Sequence, residues 1–83
     1  MDYDLILARS VTYAQRMQRA LGRVGIRSRI FRAPRDLTDL GCAYAVQIAP
    51  EYLSAAMPVL AREGLGPLRV YGVRGSEYRE VGP

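Results

Sequence analysis

Cys42 is the one side chain with ready nucleophilic chemistry in this chain of 83 residues. It sits in Pro34-Arg35-Asp36-Leu37-Thr38-Asp39-Leu40-Gly41-Cys42-Ala43-Tyr44, a turn-rich stretch that opens into an apolar run. A lone cysteine makes neither an internal disulfide nor a Cys-x-x-Cys redox pair, and a chain without histidine offers it no imidazole base. All 12 basic residues are arginine, so a Schiff-base or general-base lysine is excluded too. Most enzyme classes are poorly served by such a set, and the chain is expected not to be an enzyme. One cysteine with no histidine cannot close a metal site within one subunit, and no cofactor is implied. Cys42 is therefore either a packing residue or a handle activated by something other than histidine.

The elements that must position it follow from periodicity. Tyr3 to Ala8 is expected to be a strand, with Leu5, Ile6 and Leu7 suited to a central place. Ser10 offers an N-cap, and Val11, Ala14, Met17, Leu21 and Val24 recur at helical spacing over 11–24 until Gly25 supplies the stop. Arg16, Arg19 and Arg23 share the outer face of that helix and form a candidate partner-docking face. A second strand is expected over 26–32, ended by Ala33-Pro34. A third over 43–49 alternates Tyr44, Val46 and Ile48 with Ala43, Ala45 and Gln47. Pro50 and Glu51 suit a first helical turn, with a helix running over 50–63 to Gly64 and kinked at Pro58, which costs one backbone hydrogen bond. A fourth strand is expected over 68–73, and 74–83 as a loose tail.

The order β-α-β-β-α-β comes from two similar halves offset by 39 residues: Tyr13, Leu21, Arg23, Gly25 and Ile26 fall on Tyr52, Leu60, Arg62, Gly64 and Leu65. Right-handed crossovers then place both helices on one face of a four-stranded antiparallel sheet, a ferredoxin-like α+β fold in a single domain. Strands one and three should be central, strands two and four edges. If Tyr3, Leu5 and Leu7 face the helices, Ile6 and Ala8 lie on an uncovered, half-apolar face that invites a ligand or a second copy of the chain.

Charge is uneven. Eight arginines in residues 1–35 face only Asp2 and Asp4, while the remainder carries more acids than arginines. Such a basic half attracts nucleic acid, an acidic protein or small anions without distinguishing them, and it is equally compatible with a solvated helix face. No apolar run approaches the roughly 18 residues of a membrane span. The start Met1-Asp2-Tyr3-Asp4 lacks a positive n-region, which points to a reducing cytoplasm.

Together, the strand, the Arg-bearing helix, Gly25-Ile26, Pro34-Arg35, the hydroxyl of Thr38, Gly41-Cys42 ahead of an apolar strand, and Pro50-Glu51 resemble the selenium/sulfur carrier protein-like family over roughly residues 3–73. The family commonly has serine where Thr38 stands and glycine where Ala43 stands. The resemblance implies a carrier that holds a persulfide or perselenide on Cys42 and hands it from a donor such as a cysteine desulfurase to an acceptor protein. Only a thiolate performs that attack, so a cation must lower the thiol pKa, and Arg35, with Arg32 three residues before it, is the candidate. Gly41 would let the chain turn tightly beside the sulfur, and Pro34 and Thr38 complete the binding loop.

Other classes remain open at this point. The same strand and helix order builds the RRM, but Leu40-Gly41-Cys42-Ala43-Tyr44-Ala45-Val46-Gln47 keeps only part of its aromatic pattern. A regulatory or oligomeric module with a structural cysteine is the third class. Tyr13, Tyr44, Tyr52 and Tyr71 are expected to pack in the core or on the sheet rather than to form a binding platform.

Overall fold

The computed structural model describes residues 2–33, 44–66 and 69–82. In chain order the described elements are β1 (Tyr3–Ala8), α1 (Val11–Arg23), β2 (Arg29–Arg32), β3 (Tyr44–Ile48), a 3-10 turn (Pro50–Tyr52) leading into α2 (Leu53–Arg62), β4 (Val70–Arg74) and β5 (Glu77–Gly82). The protein is α+β. Its sheet has five strands in the order β2-β3-β1-β4-β5, and every neighbouring pair is antiparallel.

The two helices end by the same device, which explains the repeat in the sequence. Ile26 N–H donates to Leu21 C=O at 2.9 Å and Gly25 N–H to Gly22 C=O at 3.1 Å; Leu65 N–H donates to Leu60 C=O at 2.9 Å and Gly64 N–H to Ala61 C=O at 3.1 Å. Both are Schellman motifs, and each needs a left-handed residue, supplied by Gly25 at φ 82° and Gly64 at φ 74°. Ile26 and Leu65 then pack beside Leu21 and Leu60 in the core. This use of Ile26 corrects the second strand, which begins at Arg29 rather than 26. At the other end of α1, Ser10 Oγ accepts from Tyr13 N–H at 3.2 Å, the expected N-cap.

Both helices lie on one side of the sheet. Ala14, Met17, Ala20 and Leu21 of α1 and Ala56, Val59 and Leu60 of α2 pack with Ile6, Ala8, Val46, Ile48 and Val70. The first strand is therefore turned over relative to expectation: Ile6 and Ala8 face the helices, and Leu5 and Leu7 face away. Three consecutive apolar residues do not define a face, and Asp4, which alternates in step with Ile6 and Ala8, is buried on the helix side. Arg74 neutralises it, with Nη1 3.1 Å from Asp4 Oδ1. Gly72 lies opposite Asp4 and leaves room for this crossing, since a Cβ there would stand 3.2 Å from Val81 Cγ1 and 3.4 Å from Arg74 Nη1.

Two further expectations are corrected. The far face of the sheet is not open at its centre: Leu5, Leu7, Ala33, Ala45 and Val73 form a second buried cluster flanked by Tyr3, Phe31 and Tyr71. The expected loose tail contains β5, which pairs along β4 and makes β4 an interior strand. Gly75, at φ 62°, opens the two-residue hairpin turn, and its N–H donates to Asp2 Oδ1 at 3.4 Å. The hairpin is thus tied back to the start of the chain. Among the described residues no helix is long and apolar enough to cross a membrane.

Candidate functional site at the basic end of the sheet

Strand register gathers the site. Ala8 lies opposite Tyr44 across the β1–β3 pair, and Tyr44 lies opposite Arg32 across the β2–β3 pair. The end of β1, the end of β2 and the start of β3 therefore share one end of the sheet. The chain turns there from β1 through Arg9 and Ser10 into α1, so the first turns of α1 join the same end.

Three guanidinium groups at this end rest on tyrosine rings. Arg9 Cζ lies 4.7 Å and Arg16 Cζ 5.5 Å from the centroid of Tyr13, and Arg32 Cζ lies 5.5 Å from that of Tyr44. Both rings pack on the main core with one side, so each is a half-buried shelf, Tyr13 for two arginines and Tyr44 for one, and among the described residues none of the three makes an ion pair. The first turn of α1 carries no acidic residue, which leaves the positive end of the helix dipole uncompensated beside these cations. The result is a positively charged, partly rigid end suited to meeting anionic groups.

The candidate residues divide as follows. Arg32 and Arg16 belong to this end. Arg19 is exposed on the outer face of α1, and Arg23 lies at the far end of the helix, where its Nη2 is 3.2 Å from Glu63 Oε1. The expected docking face of Arg16, Arg19 and Arg23 is thus spread along α1, and one member already has an acidic partner. Pro34, Arg35, Thr38, Gly41 and Cys42 lie outside the described residues. Their flanks, Ala33 and Tyr44, are at the basic end: Ala33 is buried in the second cluster and follows Arg32, and Tyr44 comes two residues after Cys42 in the sequence.

Arg9 is the site residue that sequence reasoning passed over. Arg9, Tyr13 and Arg16 are spaced at i, i+4 and i+7, the interval that brings side chains together along a helix, but Arg9 precedes the helix and carries no helical signal itself. The expectation that Tyr13 and Tyr44 pack rather than form an open platform holds for one side of each ring. Tyr52, by contrast, is exposed.

An RRM presents stacking aromatics at the middle of its sheet; here the half-buried aromatics of the face away from the helices, Tyr3, Phe31 and Tyr71, flank an aliphatic centre. Leu5, Leu7 and Ala45 occupy β1 and β3 on the face away from the helices, and all three are buried. Among the described residues no three His, Cys, Asp or Glu side chains group closely enough to hold a metal ion.

No curated protein and no solved structure matches the chain. A family model does match, over residues 2–72, and takes in every element through the middle of β4 together with the Cys42 segment. The chain belongs to the family described as "Putative Se/S carrier protein-like".

Proposed function

We propose that the protein carries sulfur or selenium as a persulfide or perselenide on Cys42, and that the basic end of the sheet receives its donor and acceptor proteins. The family match across the Cys42 segment is the observation that carries this reading. The supporting geometry is that the described residues flanking the segment lie at the same end of the sheet as three arginines held on tyrosines.

The chemistry is a sulfane transfer. The Cys42 thiolate attacks the terminal sulfur of a donor persulfide, the donor's S–S bond breaks, and the donor cysteine leaves as a thiolate while Cys42 becomes Cys-S-SH. The donor's persulfide proton stays with the transferred sulfur, so no oxidant is consumed. An acceptor thiolate then repeats the attack, which regenerates Cys42. A chain with no second cysteine cannot divert the sulfur into an internal disulfide, which suits handover between proteins. Arg35 lowers the thiol pKa by its charge, and Arg32 adds to the local positive potential. Pro34, Thr38 and Gly41 shape the loop around the sulfur.

In this reading the fold is the ferredoxin-like βαββαβ arrangement extended by β5, the protein works in the reducing cytoplasm, and it has no catalytic turnover of its own. Thiol reactivity tests the site. Native protein should react with iodoacetamide at Cys42 at neutral pH, several times faster than an unperturbed thiol of pKa about 8.5. A thiol that reacts only after denaturation would contradict the assignment.

A further inference from the structure

The outer face of α2 differs from that of a solvated helix. Glu51, Ser54, Ala55, Pro58 and Arg62 recur at i, i+3, i+4, i+7 and i+11 from the 3-10 turn to the last turn of the helix, and all five are exposed, as is Ala61 beside them. An exposed helix normally turns a charged stripe to water. Here everything between Glu51 and Arg62 on that face is uncharged. The helix also runs on through Pro58, which gives up the backbone hydrogen bond to Ser54 C=O and sets its ring on the exposed side.

The two charges stand at opposite ends of this face, and the subunit itself does not use them. Arg23 pairs with Glu63, Arg69 with Glu80, and Arg74 with Asp2 and Asp4, whereas among the described residues neither Glu51 nor Arg62 takes part in an ion pair. A face with an acid at one end and a base at the other is complementary to itself when reversed. The neighbouring helix has no such symmetry: the outer face of α1 carries Arg16, Arg19 and Arg23 and no acid, so a second copy is repelled there.

We propose that α2 docks a second copy of this chain, antiparallel, about a twofold axis beside the middle of the helix. Glu51 of each copy meets Arg62 of the other, and Ala55 of each meets Pro58 of the other, with Ser54 and Ala61 completing the contact. One such contact satisfies both charged ends at once, as an isologous interface does. Antiparallel packing also sets opposite ends of the two helix dipoles together. One short helix from each copy covers less than the roughly 800 Å² per partner of a standard interface, so the dimer is a weak one, half dissociated at about 10–500 µM. The contact uses no residue of the Cys42 segment and does not rest on the carrier reading.

The test is sedimentation of the full chain at low ionic strength from about 10 µM to about 1 mM, with dithiothreitol present so that no disulfide through Cys42 is counted. The natural chain and Cys42→Ser should dimerise alike. Glu51→Arg and Arg62→Glu should each weaken self-association at least about tenfold, because each sets like charges together twice per dimer. General repulsion would behave differently: one variant raises the positive net charge and the other lowers it, so their effects would have opposite signs. An equimolar mixture of the two variants should dimerise within about threefold of the natural chain, since each supplies the charge that the other lacks. The signs of Glu51 and Arg62 also suit the dipole of their own helix, but that role gives no recovery on mixing. Both positions are exposed, and unchanged far-ultraviolet circular dichroism checks that the variants fold; Ala55→Arg, at the centre of the face, should abolish the dimer by itself. A natural chain that stays monomeric to about 1 mM would overturn the proposal. So would a dimer indifferent to these substitutions, or single variants that fail to recover when mixed.

Discussion

Arg74 shows how one side chain decides the handedness of a strand's exposure. Its Nη1 donates to Asp4 Oδ1, to Tyr3 C=O at 3.2 Å and to Val73 C=O at 3.0 Å, so Asp4 is accommodated on the helix side of the sheet. Removing one partner of a buried pair leaves an uncompensated charge, but Arg74 is itself about half exposed, which reduces the penalty. Arg74→Met is expected to destabilise the protein by about 1–3 kcal/mol, and Asp4→Asn made together with it should recover part of that loss in urea melts. A double variant no more stable than Arg74→Met alone would show that the ion pair is not what holds the two strands. The pairing was not legible beforehand, because residues 4 and 74 are remote in sequence and the tail was expected to be loose. For the functional residues the same reasoning runs through the thiol. If Arg35 lowers the Cys42 pKa by about one unit, Arg35→Ala moves the midpoint of the alkylation rate upward by that amount and slows reaction several-fold at pH 7. The sign follows from charge, since loss of a cation disfavours the thiolate. An unmoved midpoint would transfer the role away from Arg35.

The elements that could be read from sequence are those whose signals are local. Ser10, Gly25 and Gly64 mark helix ends through side-chain and backbone chemistry within six residues, and α1 runs from Val11 to Arg23 as that chemistry dictates. Ser10→Ala should cost about 1 kcal/mol, measured by chemical denaturation, through loss of the bond to Tyr13 N–H. A change within error would mean that water replaces the cap at no cost. β5 was missed although Gly75-Ser76 is a hairpin signal, because Glu77-Tyr78-Arg79-Glu80 offers little apolar alternation. Its support is of another kind: Arg69 Nη1 lies 3.2 Å from Glu80 Oε2, and Val81 packs against the bare face of Gly72. Pairing of this sort depends on what the neighbouring strand presents. It cannot be seen in the segment alone.

Across the described residues, three arginines held on tyrosine rings stand at the end of the sheet where β1, β2, β3 and α1 meet, and the family match covers the sequence between β2 and β3. The uneven charge was visible in the sequence, but the placing of Arg9, Arg16 and Arg32 at one end of the sheet was not, because it follows from strand register and two tyrosine shelves. Replacing these three with glutamine should weaken docking of a donor protein and flatten its salt dependence, whereas Arg19, Arg23 and Arg27 replaced together should have the smaller effect on donor affinity. Equal losses from both sets would indicate diffuse attraction without a docking end. The central claim is tested most directly by mass. The protein is incubated with a cysteine desulfurase and free cysteine, desalted, and measured intact. The account predicts one added sulfur, removed by dithiothreitol and absent in Cys42→Ser; an unmodified mass under conditions in which the desulfurase is turning over, or the same gain in Cys42→Ser, would contradict it.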